Sequence, residues 1–108
     1  MTPLRTVDLV LVWHMHQPDY RDPLSGEYRQ PWVYLHAIKD YADMAAHLEA
    51  QPAMRAVVNF VPVLLEQLED YAAQFAAGAL RDPLLRLLAK PVAEPFSAEE
   101  RTTVLGQC

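Results

Sequence analysis

Cysteine is all but missing from this chain: Cys108 is the single one among 108 residues. That excludes an internal disulfide framework and fits a reducing compartment, so a cytoplasmic protein is expected. Long hydrophobic runs are missing too. No apolar stretch approaches the roughly 20 residues of a membrane span. The short apolar run near the N-terminus carries Arg5 and Asp8 and has no small-residue cleavage site behind it, so no secretory signal is expected. Positive charge is in deficit: 9 Lys and Arg against 14 Asp and Glu leave a net charge of −5, which argues against nucleic acid or an anionic membrane as partner. The sequence shows no internal repeat and no low-complexity tract. What it does have is apolar content, 52%, enough to build a core in a small domain.

The most informative stretch is the apolar run Val7–Trp13, which leads into His14, Met15, His16, Gln17 and Pro18. Val7, Leu9, Val10, Leu11 and Val12 form a near-continuous apolar series, the pattern of a strand covered on both faces. Pro18 cannot donate to a sheet ladder, and the residue before a proline avoids the helical region, so the strand must end there. Polar residues at the carboxyl end of a buried parallel strand are where α/β folds and barrels carry their chemistry.

Residues 19–31 read as a polar loop punctuated by Pro23, Gly26 and Pro31, long for a strand-to-helix connection. From Trp32 to Ala50 the pattern is helical, with Tyr34, Ile38, Tyr41, Ala45 and Leu48 on one apolar face. A second strand is expected over Met54–Phe60. A helix then opens near Pro62, with Val61, Leu64, Leu65, Leu68, Ala72 and Phe75 as its buried stripe and Gly78 as its cap. Asp82 and Pro83 look like an N-cap and first-turn proline of a short leucine-rich helix that Pro91 stops. Ser97 and Glu100 form a capping-box signature for a last helix. The class is therefore α/β, in the order strand–helix–strand–helix–helix and the start of another helix. Two strands cannot close a parallel barrel, which typically needs about 250 residues. The sequence reads as the first part of something larger, and if the chain does end at Cys108, poor solubility or oligomerisation is expected.

A histidine at the end of a strand is often no more than a packed polar group. His14 and His16, two residues apart, face the same way on a strand, so both rings can enter one pocket. Two chemistries use that geometry. The pair can bind zinc or another borderline cation through neutral imidazole nitrogens. Alternatively, the rings and Gln17 can hydrogen-bond a polyhydroxylated ligand without a metal.

The neighbouring sequence resembles glycoside hydrolase family 57. The triplet His16-Gln17-Pro18 is similar to that family's first signature. Gln30-Pro31-Trp32, followed by the stretch from Leu35 to Tyr41, resembles its next block, and the stretch from Asn59 to Leu68 resembles its second strand-and-helix unit. The resemblance implies a seven-stranded, TIM-like β/α barrel of which residues 1–108 are the N-terminal part. It implies a retaining α-glucan hydrolase or 4-α-glucanotransferase, with α-glucan or malto-oligosaccharide as substrate and no cofactor. The remainder of the catalytic domain would then be the chain's structural partner. In that family a glutamate nucleophile and an aspartic acid, carboxyls about 5–5.5 Å apart, come from later strands. No motif here matches them, so no catalytic residue is expected in this chain. By the same resemblance His16 contacts the sugar beside the scissile bond, with His14 and Gln17 as neighbours.

Other residues carry two readings each. Trp32, with Tyr20 and Tyr28, offers platforms for sugar rings or ordinary anchors to the core. Trp13 reads as core. His36, Asp40, Asp43 and His47 share a helix face, which suits a metal site or, with better support, a solvated polar face. Asn59 sits at a strand end, where it feeds a barrel's active face or caps the next helix, with capping first. Glu66, Glu69 and Asp70 read as a solvated charge run. Two further readings stand beside the glucan enzyme: a metal-dependent, amidohydrolase-like barrel using the histidine pair, and a non-catalytic remnant acting as a binding piece. Gln17-Pro18 and the two later blocks weigh against the first of these, and the absent carboxylates favour the second for this polypeptide alone.

Overall fold

The computed structural model describes residues 5–107; Cys108, and with it the reading of the one thiol, lies outside them. Two short strands, β1 (Val12–Met15) and β2 (Val57–Phe60), pair in parallel, with Val12 opposite Val57 and His14 opposite Asn59. Both strands begin later than the apolar runs that announce them. Residues 7–11 and 54–56 lie outside the strands, although Val57 N–H still donates to Leu11 O at 2.9 Å. The β-branched residues favour extended backbone, but a strand forms only where a neighbour supplies a ladder. The expected cover on both faces is also not met: Val12 is 61% exposed and Val57 56%, because the helices of this chain pack elsewhere.

The crossover between the strands carries helix α1 (Trp32–His36), a wider π-helical segment (Ala37–Tyr41) and helix α2 (Ala42–Ala50). The continuous helix expected over Trp32–Ala50 is thus interrupted in its hydrogen-bond register. Of the expected apolar face, Tyr34, Tyr41 and Leu48 are half-buried while Ile38 and Ala45 are exposed, and the fully buried residue is Val33.

Helix α3 (Pro62–Ala77) starts with proline in its first turn and ends at Gly78, which adopts the left-handed conformation (φ 63°) that glycine alone enters without a Cβ penalty. Its buried stripe is the expected one only in part: Leu64 is fully buried and Val61 and Leu68 half-buried. Leu64, Gln67, Tyr71 and Gln74 face inward, while Leu65, Ala72 and Phe75 are exposed. Two glutamines replace leucine and phenylalanine on the core side because they have work to do there. Gln67 accepts from Tyr20 N–H (3.0 Å) and donates to Pro18 O (2.9 Å), and Gln74 accepts from Arg81 N–H (2.6 Å).

Helix α4 (Pro83–Leu88) has the expected cap: buried Asp82 accepts from Leu85 N–H at 3.0 Å and from the Tyr71 hydroxyl at 2.7 Å. Helix α5 (Ala98–Gln107) has the expected capping box, Glu100 N–H to Ser97 Oγ at 3.1 Å and Ser97 N–H to Glu100 at 2.7 Å. The core gathers Met15, Tyr28, Val33, Leu64, Tyr71 and Leu85, from β1, the long loop, α1, α3 and α4. Among the described residues, no helix is long and apolar enough to cross a membrane.

Candidate functional site

The strand ends define the site. In-register pairing of β1 with β2 sets His14 beside Asn59, and His14 Nδ1 lies 2.7 Å from Asn59 Oδ1. Asn59 therefore does not cap α3. That helix has Val61 at its N-cap with no side-chain bond, and the asparagine is spent on the histidine. With an amide oxygen as partner, the hydrogen of this bond is carried by Nδ1 of His14. The His14 and His16 rings meet edge to face at 5.6 Å, as same-side residues should. Among the described residues, His16 makes no side-chain hydrogen bond, and its ring is exposed.

Gln17 is held between two tyrosines. The Tyr20 hydroxyl donates to Gln17 Oε1 at 2.9 Å, and Gln17 Nε2 makes a long contact, 3.4 Å, to the Tyr41 hydroxyl. Burial, with Tyr41 close by, raises the Tyr20 hydroxyl above its ordinary pKa, so it stays a neutral donor at physiological pH. Tyr41 was readable from sequence only as an apolar helix position; its polar end shows once the π segment turns it toward the loop.

The loop that presents Gln17 is a small hairpin. Arg29 N–H donates to Tyr20 O at 2.9 Å, Asp22 N–H donates to Glu27 O at 2.8 Å, and Gly26 (φ 71°) makes the turn. The hairpin is fixed to α3 at both ends. Gln67 takes the Pro18–Tyr20 backbone, and Tyr28, fully buried, donates to Asp70 Oδ2 at 2.9 Å. Tyr28 is thus an anchor and not a platform. Asp70 leaves the solvated run: burial works to raise its pKa, but bonds from Arg81, Tyr28 and Gln74 outweigh it and hold the carboxyl below its ordinary range. Gln67 is the residue that sequence reasoning missed. The signal available was polar side chains at 67 and 74, in helical step with Leu64 and Tyr71.

Trp32 opens α1 at 45% exposure, its indole N–H donating to Gln30 Oε1. An open concavity of about 610 Å³ runs beside the hairpin, lined by Asp19, Tyr20, Arg21, Pro23, Arg29 and Gln30. Two of its walls, Tyr20 and Gln30, are therefore the residues that hold Gln17 and Trp32. The structure brings His14, His16 and Asn59 together at one end of the sheet; Gln17 follows in sequence with its side chain between Tyr20 and Tyr41, and Trp32 approaches it through His36 and Tyr41.

Carboxylates near the site are engaged. Asp19 takes a two-point bond from Arg21, both contacts at 2.8 Å, and that bond lowers its pKa. Asp40 pairs with His36 and Asp43 with Lys39, while His47 stands exposed, so the four polar residues expected on one face of the first helix do not converge on one point. Among the described residues, no three His, Cys, Asp or Glu side chains converge on one point, whereas a catalytic zinc site uses three protein ligands.

A family model described as glycosyl hydrolase family 57 matches residues 10–100. No curated protein and no solved structure matches the chain.

Proposed function

This chain belongs to glycosyl hydrolase family 57, and from that premise we propose that residues 1–108 are the N-terminal part of a seven-stranded β/α-barrel catalytic domain acting on α-glucans. The reaction is retaining hydrolysis or 4-α-glucan transfer. His16, His14, Gln17, Asn59 and Trp32 are its sugar contacts. The observation that carries this reading is the in-register pairing of β1 with β2, which gathers His14 and Asn59 at the same strand ends that lead into His16 and Gln17.

The chemistry of these groups suits a sugar. Imidazole, two amides and tyrosine hydroxyls offer donors and acceptors in fixed directions, as a polyhydroxylated ring needs. An imidazole that bonds a sugar hydroxyl more strongly as positive charge grows on the anomeric carbon lowers the barrier without covalent chemistry. The general acid must be protonated before it acts, and Asp19, held ionised by Arg21, does not fit that role. A glutamate nucleophile and an aspartic acid from later strands complete the site.

Calorimetric titration with maltoheptaose tests the ligand class. Binding that cellohexaose does not reproduce and that His16→Ala abolishes is the expected result. Failure of every malto-oligosaccharide to bind, or stoichiometric uptake of zinc by the histidine pair, overturns the reading. The domain assignment is tested by reading the coding DNA past the codon for Cys108. A frame that continues and supplies a strand-end glutamate and then an aspartate is expected, and an immediate stop codon refutes it.

A further inference from the structure

The π-helical segment Ala37–Tyr41 has a geometric consequence. Trp32 and His36 are four residues apart and their ring centroids lie 6.2 Å apart. His36 and Tyr41 are five apart, yet their rings stack at 6.1 Å with planes 29° from parallel. In an α-helix a five-residue step turns the chain by about 500°, which leaves two side chains roughly 140° apart and out of reach. The wider turn, with its i→i+5 bonding, brings the five-residue step back onto one face. The result is one aromatic row, Trp32–His36–Tyr41, which ends on Gln17.

Each ring in the row is held by a polar partner: Trp32 by Gln30, His36 by Asp40 and Tyr41 by Gln17. The row is accessible, with Trp32 45% exposed and the His36 side chain 36% exposed. We propose that this row is an additional sugar-binding subsite, built by the π segment, that extends the His16–Gln17 site along helix α1. Fixed, partly exposed ring faces suit the C–H faces of pyranose rings, and Asp40 holds the His36 imidazole in place. An ordering cost already met before the ligand arrives makes such a row effective. The inference rests on the reading of His16 and Gln17 as sugar contacts.

The test measures affinities for maltotriose and maltoheptaose in the chain and in Trp32→Ala, His36→Ala, His16→Ala and, as a surface control, His47→Ala. The two row variants are expected to lose about three- to tenfold in maltoheptaose affinity and less for maltotriose, so that the advantage of the longer sugar shrinks. His16→Ala lowers both affinities, and His47→Ala changes neither. Circular dichroism checks that each variant keeps its helices. Row variants that bind both sugars as the parent chain does, or lose both in equal proportion, overturn the subsite while leaving the His16 site standing. If no malto-oligosaccharide binds the parent chain, the sugar reading itself fails and the subsite with it.

Discussion

Where the hairpin meets α3, Tyr28, Leu64 and Gln67 are all but sealed from solvent, and among the described residues every buried side-chain polar atom has a partner; in the sheet, Val12 and Val57 stand opposite each other more than half exposed. The first region, finished in its packing, is closed off from solvent, and the second stands open. The difference separates two jobs. The hairpin and helices set where Gln17 sits, through Gln67 on the Pro18–Tyr20 backbone, while the sheet carries His14 and Asn59 and stands uncovered. Parallel strands are normally covered on both faces. The radius of gyration, 19.7 Å, exceeds the roughly 13 Å of a compact domain of about 100 residues, as the open, elongated shape requires.

The sharpest way to break the comparison is to remove the polar anchor of the finished region. Gln67→Leu keeps the bulk of the side chain but leaves Tyr20 N–H and Pro18 O without their partners. A loss of about 1–3 kcal/mol for each group so exposed to an apolar neighbour is expected in urea unfolding. The same variant should weaken sugar binding, because Pro18 adjoins Gln17. A variant as stable as the parent would mean that the hairpin holds itself.

Tyr71→Phe comes next. It deletes the hydroxyl that donates to buried Asp82 and should cost about 1–3 kcal/mol at neutral pH. Burial, then the Asp82 bond, raises the Tyr71 hydroxyl far above its ordinary pKa of 10.0, and Tyr28 is raised by burial and Asp70. A tyrosine whose folded pKa lies above its unfolded one contributes stability that is complete below pH 10 and is lost as pH rises above it. The parent chain should therefore weaken above that pH, and Tyr71→Phe should weaken less steeply. A decline of equal slope in both would remove Tyr71 from the account.

Much of the finished region was legible in the sequence. Asp82-Pro83, Gly78 and Ser97 with Glu100 announced their helix ends because capping is local chemistry. The inward face of α3 was not legible, since Gln67 and Gln74 are buried by hydrogen bonds to a loop distant in sequence, which apolar periodicity cannot register. The π segment was hidden for a related reason: a shift from i+4 to i+5 bonding leaves composition unchanged and moves only the face. At the site, the direction shared by His14 and His16 followed from strand alternation. The partner of Asn59 did not, because it depends on the register between two strands 45 residues apart. Short apolar runs likewise overstate the strands, since Leu9 and Val10 have β-like character but find no ladder in this chain.

The smallest expected effect tests the open half. Val57→Thr keeps a β-branched shape and replaces one methyl by a hydroxyl on a strand more than half exposed. A face bare in solution should tolerate this within about 0.5 kcal/mol, the range of ordinary surface substitutions. The gain should appear elsewhere, because Val12 and Val57 on one face and Val58 and Phe60 on the other are exposed and the sheet has unpaired edges, both of which invite association. Sedimentation of the parent chain should show self-association, weakened in Val57→Thr with no change in the unfolding midpoint at low concentration. If instead the threonine costs more than ~1 kcal/mol in a dilute monomer, Val57 is packed in solution. The sheet would then belong with the finished region, and the contrast between the two halves would fail.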